Sequence, residues 1–137
     1  MHAALPRPTD TTSKRKSGLV KFALVGASGA LVNSAVLHVL YEHWHLPLLA
    51  ASGAAVELAV ISNYLLNDRW TFAAESRSFG RFARFNLSSL GGLAVNVLAV
   101  LVLSRFGLPV LEANLVGIAA GFAANFALSS TWVWAAA

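Results

Sequence analysis

The chain has 137 residues, 57% of them hydrophobic and 12% charged, with a formal net charge of +4 and no cysteine. That balance, with the apolar residues in long blocks, belongs to a small membrane protein and excludes a disulfide framework or a thiolate metal site. The basic residues stand beside the apolar blocks with few interleaved aromatics, a pattern that suits an anionic membrane surface and gives no nucleic-acid partner.

Residues 1–18 are polar, contain Pro6, Pro8 and a Thr/Ser/Lys cluster, and read as a disordered basic tail lying near anionic lipid. The first apolar block runs from about residue 19 to 41. It follows Lys14, Arg15 and Lys16 as a secretory signal would, but it is longer than a signal core and three similar blocks follow, so it reads as a retained span. The connection YEHWHLP offers Glu42, His43 and His45, too few ligands on one short turn for a metal. Tyr41 and Trp44 make it an aromatic belt at the membrane surface. Three further spans follow, at about 48–66, 83–103 and 110–133, each near the roughly 20 residues a helix needs to cross the hydrocarbon. Backbone polar groups in lipid must be paired within the segment, so all four are helices. The expected fold is an all-α integral membrane protein, with a tail over 1–18 and a four-helix domain over 19–137.

Arg7, Lys14, Arg15, Lys16 and Lys21 precede or open the first span, and Arg69, Arg77, Arg81 and Arg84 lie around the connection between the second and third. The other two connections hold only Arg105 between them. The positive-inside rule then places both termini and the middle connection in the cytoplasm, in a multi-pass protein of the cytoplasmic (inner) membrane.

The two halves repeat. FALVGASGALVN (22–33) aligns with FNLSSLGGLAVN (85–96), LPLL (46–49) with LPVL (108–111), and NYLLNDRW (63–70) with NFALSSTW (125–132). Each half is a helical hairpin with an even number of spans, so both enter the membrane from one side, as a parallel repeat. Phe22, Gly26, Gly29 and Asn33 form a helical seam, as do Phe85, Ser89, Gly92 and Asn96, and Asn114, Gly117, Gly121 and Asn125. Small residues let backbones approach, and amides bond across the contact. Bundle packing accounts for the glycines, whereas the asparagines suit packing and a polar path equally. Glu57 is the one acid deep in a span, near the depth of Asn33. There a charge costs at least about 2.5 kcal/mol, so it should face the bundle or a polar cavity. No nucleophile–base order, phosphate-cradling glycine loop or paired acids appear, and the chain reads as a non-enzyme with no catalytic residue.

The opening KFALVGASGALVN, the segment NYLLNDRWTF and the following RFARF resemble the GtrA-like family of small four-helix membrane proteins, over about residues 19–134. The most specific element is N-x-x-x-N-x-x-W-x-F with Arg69 beside the Trp. The resemblance implies work on cell-surface polysaccharides, by moving polyprenyl-phosphate-linked sugars across the membrane, and attaches that role to Asn63, Asn67, Arg69, Trp70 and Phe72. Asp68 interrupts the family's basic pair, and Ser129, Ser130 and Thr131 replace Asn67, Asp68 and Arg69 in the second copy. Both departures weigh against a phosphate site on both repeats.

Such a lipid needs cations at the headgroups and a polar route for the sugar. Arg69, Arg81, Arg84 and Lys21 are candidate phosphate partners, and Asn33, Glu57, Asn63, Asn96 and Asn125 a candidate path, with Trp70 at the interface. Four helices enclose little volume, so a homodimer or a complex with a glycosyltransferase is expected. Two other functions compete: an anchoring or organising subunit for a glycosyltransferase, and a small proton-coupled multidrug exporter, which Glu57 fits poorly because that family's acid lies in the first helix.

Overall fold

The computed structural model describes residues 8–135 of the chain, and residues 1–7 of the expected tail lie outside them. Among the described residues there are four helices long and apolar enough to cross a membrane, and no strand. They are α1 (Pro8–His38), α2 (Leu48–Leu66), α3 (Phe79–Arg105) and α4 (Val110–Leu128). Short π-helical turns extend three of them: Val39–His43 after α1, Asn67–Thr71 after α2 and Ser129–Val133 after α4. The chain divides into two compact units, Met1–Ala73 and Ala74–Ala137, each a helical hairpin.

Local chemistry sets the helix ends. Pro47 and Pro109 stand just before α2 and α4, where a missing N–H costs nothing, and their carbonyls each accept the first intrahelical bond, from Ala51 N and Ala113 N at 2.9 Å. The third span begins at Phe79, four residues before the apolar block, because Ser78 caps it: its Oγ accepts from Arg81 N at 3.4 Å. The end of α3 is a Schellman turn. Gly107 sits at φ +90°, with Gly107 N donating to Ser104 O and Leu108 N to Leu103 O, both at 3.1 Å. In the first hairpin His45 holds the matching left-handed position at φ +53°. There the preceding π-turn carries the closing bond from Leu46 N back to Leu40 O at 3.0 Å.

Each hairpin packs along the seams read in the sequence. Phe22, Val25 and Gly29 of α1 are buried with Ala51, Ala55 and Ala59 of α2; in the second hairpin Phe85, Ser88 and Gly92 of α3 are buried with Ala113, Gly117 and Gly121 of α4. These are equivalent positions in the repeat. A Cβ on Gly121 would collide with the Gly92 carbonyl oxygen, and one on Gly92 would lie 2.8 Å from the Gly121 carbonyl oxygen. The two backbones therefore touch. Contact of this kind replaces the hydrophobic drive that lipid does not supply. The same absence explains why Leu31, Leu49 and Leu98 stand exposed on the outer faces.

Candidate functional site

The π-turns at the ends of α2 and α4 build the first part of the site. Phe72 N donates to Asn67 O and Trp134 N to Ser129 O, both at 2.9 Å, so each last turn closes five residues back. The final carbonyls then have no intrahelical donor. In the first hairpin Lys21 Nζ donates to Trp70 O at 3.4 Å and lies 5.7 Å from the centroid of the Trp70 ring. In the second, Arg84 Nη1 donates to Trp132 O at 3.4 Å, and its Nε to Gly80 O at 3.4 Å. Lys21 and Arg84 are equivalent in the repeat, as are Trp70 and Trp132. Both rings are exposed.

Each hairpin thus carries a cation at the carbonyl end of a helix, where the dipole favours it, and in the first hairpin that cation also lies against the Trp70 indole. An aromatic clasp repeats beneath: Phe22 meets Phe72 edge-on with centroids 6.2 Å apart, and Phe85 meets Trp134 at 5.4 Å.

The π-turn also sorts the NYLLNDRWTF residues into two sets. Asn67 and Asp68 are buried, and Asn67 Oδ1 accepts from Thr71 Oγ1 at 2.7 Å, whereas Arg69 and Trp70 are exposed. A regular helix would have put Trp70 on the face of Asn67. The wider turn puts Thr71 there and swings Trp70 outward. Asp68 lies four residues beyond buried Tyr64, on the same side of the helix.

The second part is the amides. Asn63 lies directly on Gly29, where its side chain occupies the place a Cβ would take. The Oδ1 atoms of Asn33, Asn63 and Asn96 are buried without a hydrogen-bond partner, and that of Asn96 rests against Gly117. Asn125 differs. Its Oδ1 accepts from Ser88 Oγ at 2.9 Å and from Ser129 Oγ at 3.4 Å, in a cluster where Ser88 and Ser129 are both fully buried. Ser88 Oγ lies equally close, 2.9 Å, to Phe85 O, so its one proton serves two acceptors in turn. Ser88 did not stand out in the sequence, and Ser129 stood out only as the replacement for Asn67. The available signal was a hydroxyl on the buried face of α3 and another four residues after Asn125.

Asn96 and Asn125 line a groove of about 190 Å³ on the second hairpin, with Ser89, Gly92, Gly121 and Phe122 among its walls. The structure thus gathers Asn96 with Asn125, Asn63 with Gly29, Asn67 with Thr71, Trp70 with Lys21, and Arg84 with Trp132. Glu57 is exposed on α2, outside both the groove and the two cation sites.

A family model described as "GtrA/DPMS, transmembrane domain" matches residues 21–134. Over 119 residues the chain is 37% identical to a dolichol-phosphate mannosyltransferase of Pyrococcus furiosus, covering 85% of this chain and 34% of that relative. The chain spans about a third of that relative's length. This corrects the expectation of a non-enzyme, since the relative carries the name of a glycosyl-transferring enzyme. Catalytic side chains are recognised by their partners, and this chain matches only a third of that enzyme.

Proposed function

The chain belongs to the GtrA/DPMS transmembrane-domain family, and from that premise we propose that it translocates a polyprenyl-phosphate-linked monosaccharide for cell-envelope polysaccharide or glycoconjugate synthesis. The carrying observation is a repeated cation on the backbone carbonyl of an exposed tryptophan: Lys21 on Trp70 O, and Arg84 on Trp132 O. A lipid-linked sugar keeps its chain in hydrocarbon and its phosphate among the headgroups. Lys21 and Arg84 meet that phosphate, and the indoles hold the helix ends at the same level. Arg69, exposed one residue before Trp70, adds a guanidinium able to bind phosphate in two places. The amides of Asn96 and Asn125 then replace water around the sugar hydroxyls as they leave the headgroup layer. Anionic membrane lipids compete for the same cations.

The decisive assay is reconstitution in liposomes with a labelled polyprenyl-phosphate hexose in one leaflet. Its appearance in the other leaflet should be accelerated over protein-free liposomes. With folded protein present, no acceleration would sink translocation.

A second reading is favoured by the relative's name and by the one-third match. Here the chain is the membrane-anchoring or organising part for a glycosyltransferase acting on the same lipid class. Co-purification of glycosyl-transfer activity from native membranes, without accelerated flipping by the isolated chain, would select it.

A further inference from the structure

The two hairpins repeat each other closely, and they differ at the place where the second one has its groove. In the first, Asn63 lies on Gly29. Its equivalent, Asn125, does not cover Gly92 in that way: only its Cβ approaches, at 3.1 Å from the position a Gly92 Cβ would take, and the residue lines open space. Two buried positions of the repeat differ here, Ser88 for Val25 and Ser129 for Asn67, and both serines bond the Asn125 oxygen. Ser88 stands where the first hairpin has Val25; both are fully buried, but only the serine hydroxyl pulls the Asn125 oxygen down into the helix contact. Val25 has nothing to offer Asn63.

Both groove amides therefore have one end sealed. The Asn125 oxygen is held by Ser88 and Ser129, and the Asn96 oxygen is buried against Gly117. With those oxygens taken, the N–H2 groups of Asn96 and Asn125 and the Ser89 hydroxyl are the donors left on the residues that line the groove. Asn125 lies seven residues before Trp132, roughly 10 Å along the helix, and Asn96 is eleven residues past Phe85, roughly 16 Å. The donors thus descend from the tryptophan end into the depth of the span. Hydrocarbon has no acceptor for them, and two amides left partly open in lipid are costly unless something carrying oxygen fills the groove.

Resting on the function proposed above, we infer that this groove on the second hairpin is the sugar subsite: it takes one hydroxylated ring of the lipid-linked substrate. The volume decides the size class. About 190 Å³ is below the roughly 300 Å³ at which pockets for drug-sized ligands begin, and suits a single ring. Ring oxygens accept from Asn96, Asn125 and Ser89, while the Phe122 ring in the wall meets the apolar face of the sugar. In the first hairpin Asn63 fills the space over Gly29 that the groove leaves open over Gly92.

Because the chain has no cysteine, Ser89→Cys creates a single thiol in the groove. Its maleimide labelling rate in proteoliposomes is measured with polyprenyl-phosphate hexose, with polyprenyl phosphate lacking the sugar, and with no addition. The sugar-bearing lipid should slow labelling severalfold and the sugarless lipid should not. Asn96→Leu in the same background should cancel the protection, as should Ser88→Ala, which frees Asn125 to turn over Gly92. Unchanged labelling with the hexose lipid overturns the assignment, and so does equal protection by the sugarless lipid. Equal protection of a Gly26→Cys thiol at the corresponding place on the first hairpin overturns it too, as general shielding. Protection without flipping keeps the subsite and removes translocation; flipping without protection does the reverse.

Discussion

Ser88 Oγ and Asn125 Oδ1 lie 2.9 Å apart across the α3–α4 contact, in a place where Ser88 is fully buried. Interhelical hydrogen bonds between small polar side chains in membranes contribute a modest amount each. Ser88→Ala is expected to lower the unfolding free energy of the protein in bicelles by about 1 kcal/mol. Ala in place of the equivalent Val25 has no hydrogen bond to remove and costs packing alone, about 0.5–1.5 kcal/mol if the site collapses as for the loss of one or two methyl groups. The two variants separate in their effect on Asn125, whose amide environment should shift in NMR spectra only for Ser88→Ala.

The glycines divide by what a methyl group would meet. Gly121→Ala forces a Cβ into the Gly92 carbonyl oxygen, whereas Gly26 and Gly53 have nothing within 4 Å. Gly121→Ala should destabilise the second hairpin by about 1–3 kcal/mol, since rigid backbone has to move. Gly26→Ala and Gly53→Ala should be neutral or slightly stabilising. Thermal unfolding in detergent of all three variants checks the ordering, and equal stability would show that the close approach of α3 and α4 relaxes freely.

Lys21 and Arg84 are assigned the same task in the two hairpins. A basic residue at an anionic surface contributes about 1 kcal/mol, so Lys21→Gln and Arg84→Gln should each raise the half-saturating concentration of polyprenyl-phosphate hexose about fivefold. Raising salt should narrow the gap to wild type, because exposed charges are screened. Full activity in the double variant would reduce both cations to membrane anchors.

Glu57 is exposed on α2, with Gly53 exposed one turn before it. With open space around Gly53, this face of α2 has room for a second protein surface. Gly permits close approach there. Oxidation of a Gly53→Cys variant in native membranes should give a crosslinked dimer, and Glu57→Leu should alter its yield. Recovery of monomer alone would remove the homodimer from consideration.

Orientation follows the basic residues. A thiol at Ser76, between Glu75 and Arg77, should react with an impermeant reagent only from the cytoplasmic side, and one at His43 only from the opposite side. The reverse pattern would invert the direction in which the substrate sites are filled.

The sequence by itself determined a large part of this protein. Lipid forces every backbone polar group to pair locally, so four apolar blocks meant four helices, and the second span was legible to its bounds, Leu48–Leu66, because Pro47 opens it. The repeat was legible as well, since Phe22 and Phe85, Gly29 and Gly92, and Asn63 and Asn125 keep their spacing. On enzyme activity the sequence read as a non-enzyme, and the relative's name corrected that: catalytic groups are recognised by their partners, and this stretch answers to a third of that enzyme.

Only the tertiary structure decided which polar side chains turn inward. A π-turn follows Leu66, with Asn67 and Asp68 buried as Tyr64 is and with Arg69 and Trp70 exposed, and helical periodicity has no means of announcing its extra residue. It likewise decided that Arg84, far from NFALSSTW in the chain, stands at Trp132 O as Lys21 stands at Trp70 O. Such contacts join positions about fifty residues apart, and no local pattern encodes them. The difference between Asn63 and Asn125 is of the same kind: the two asparagines are identical in the sequence, and two serines that bond the Asn125 oxygen set them apart.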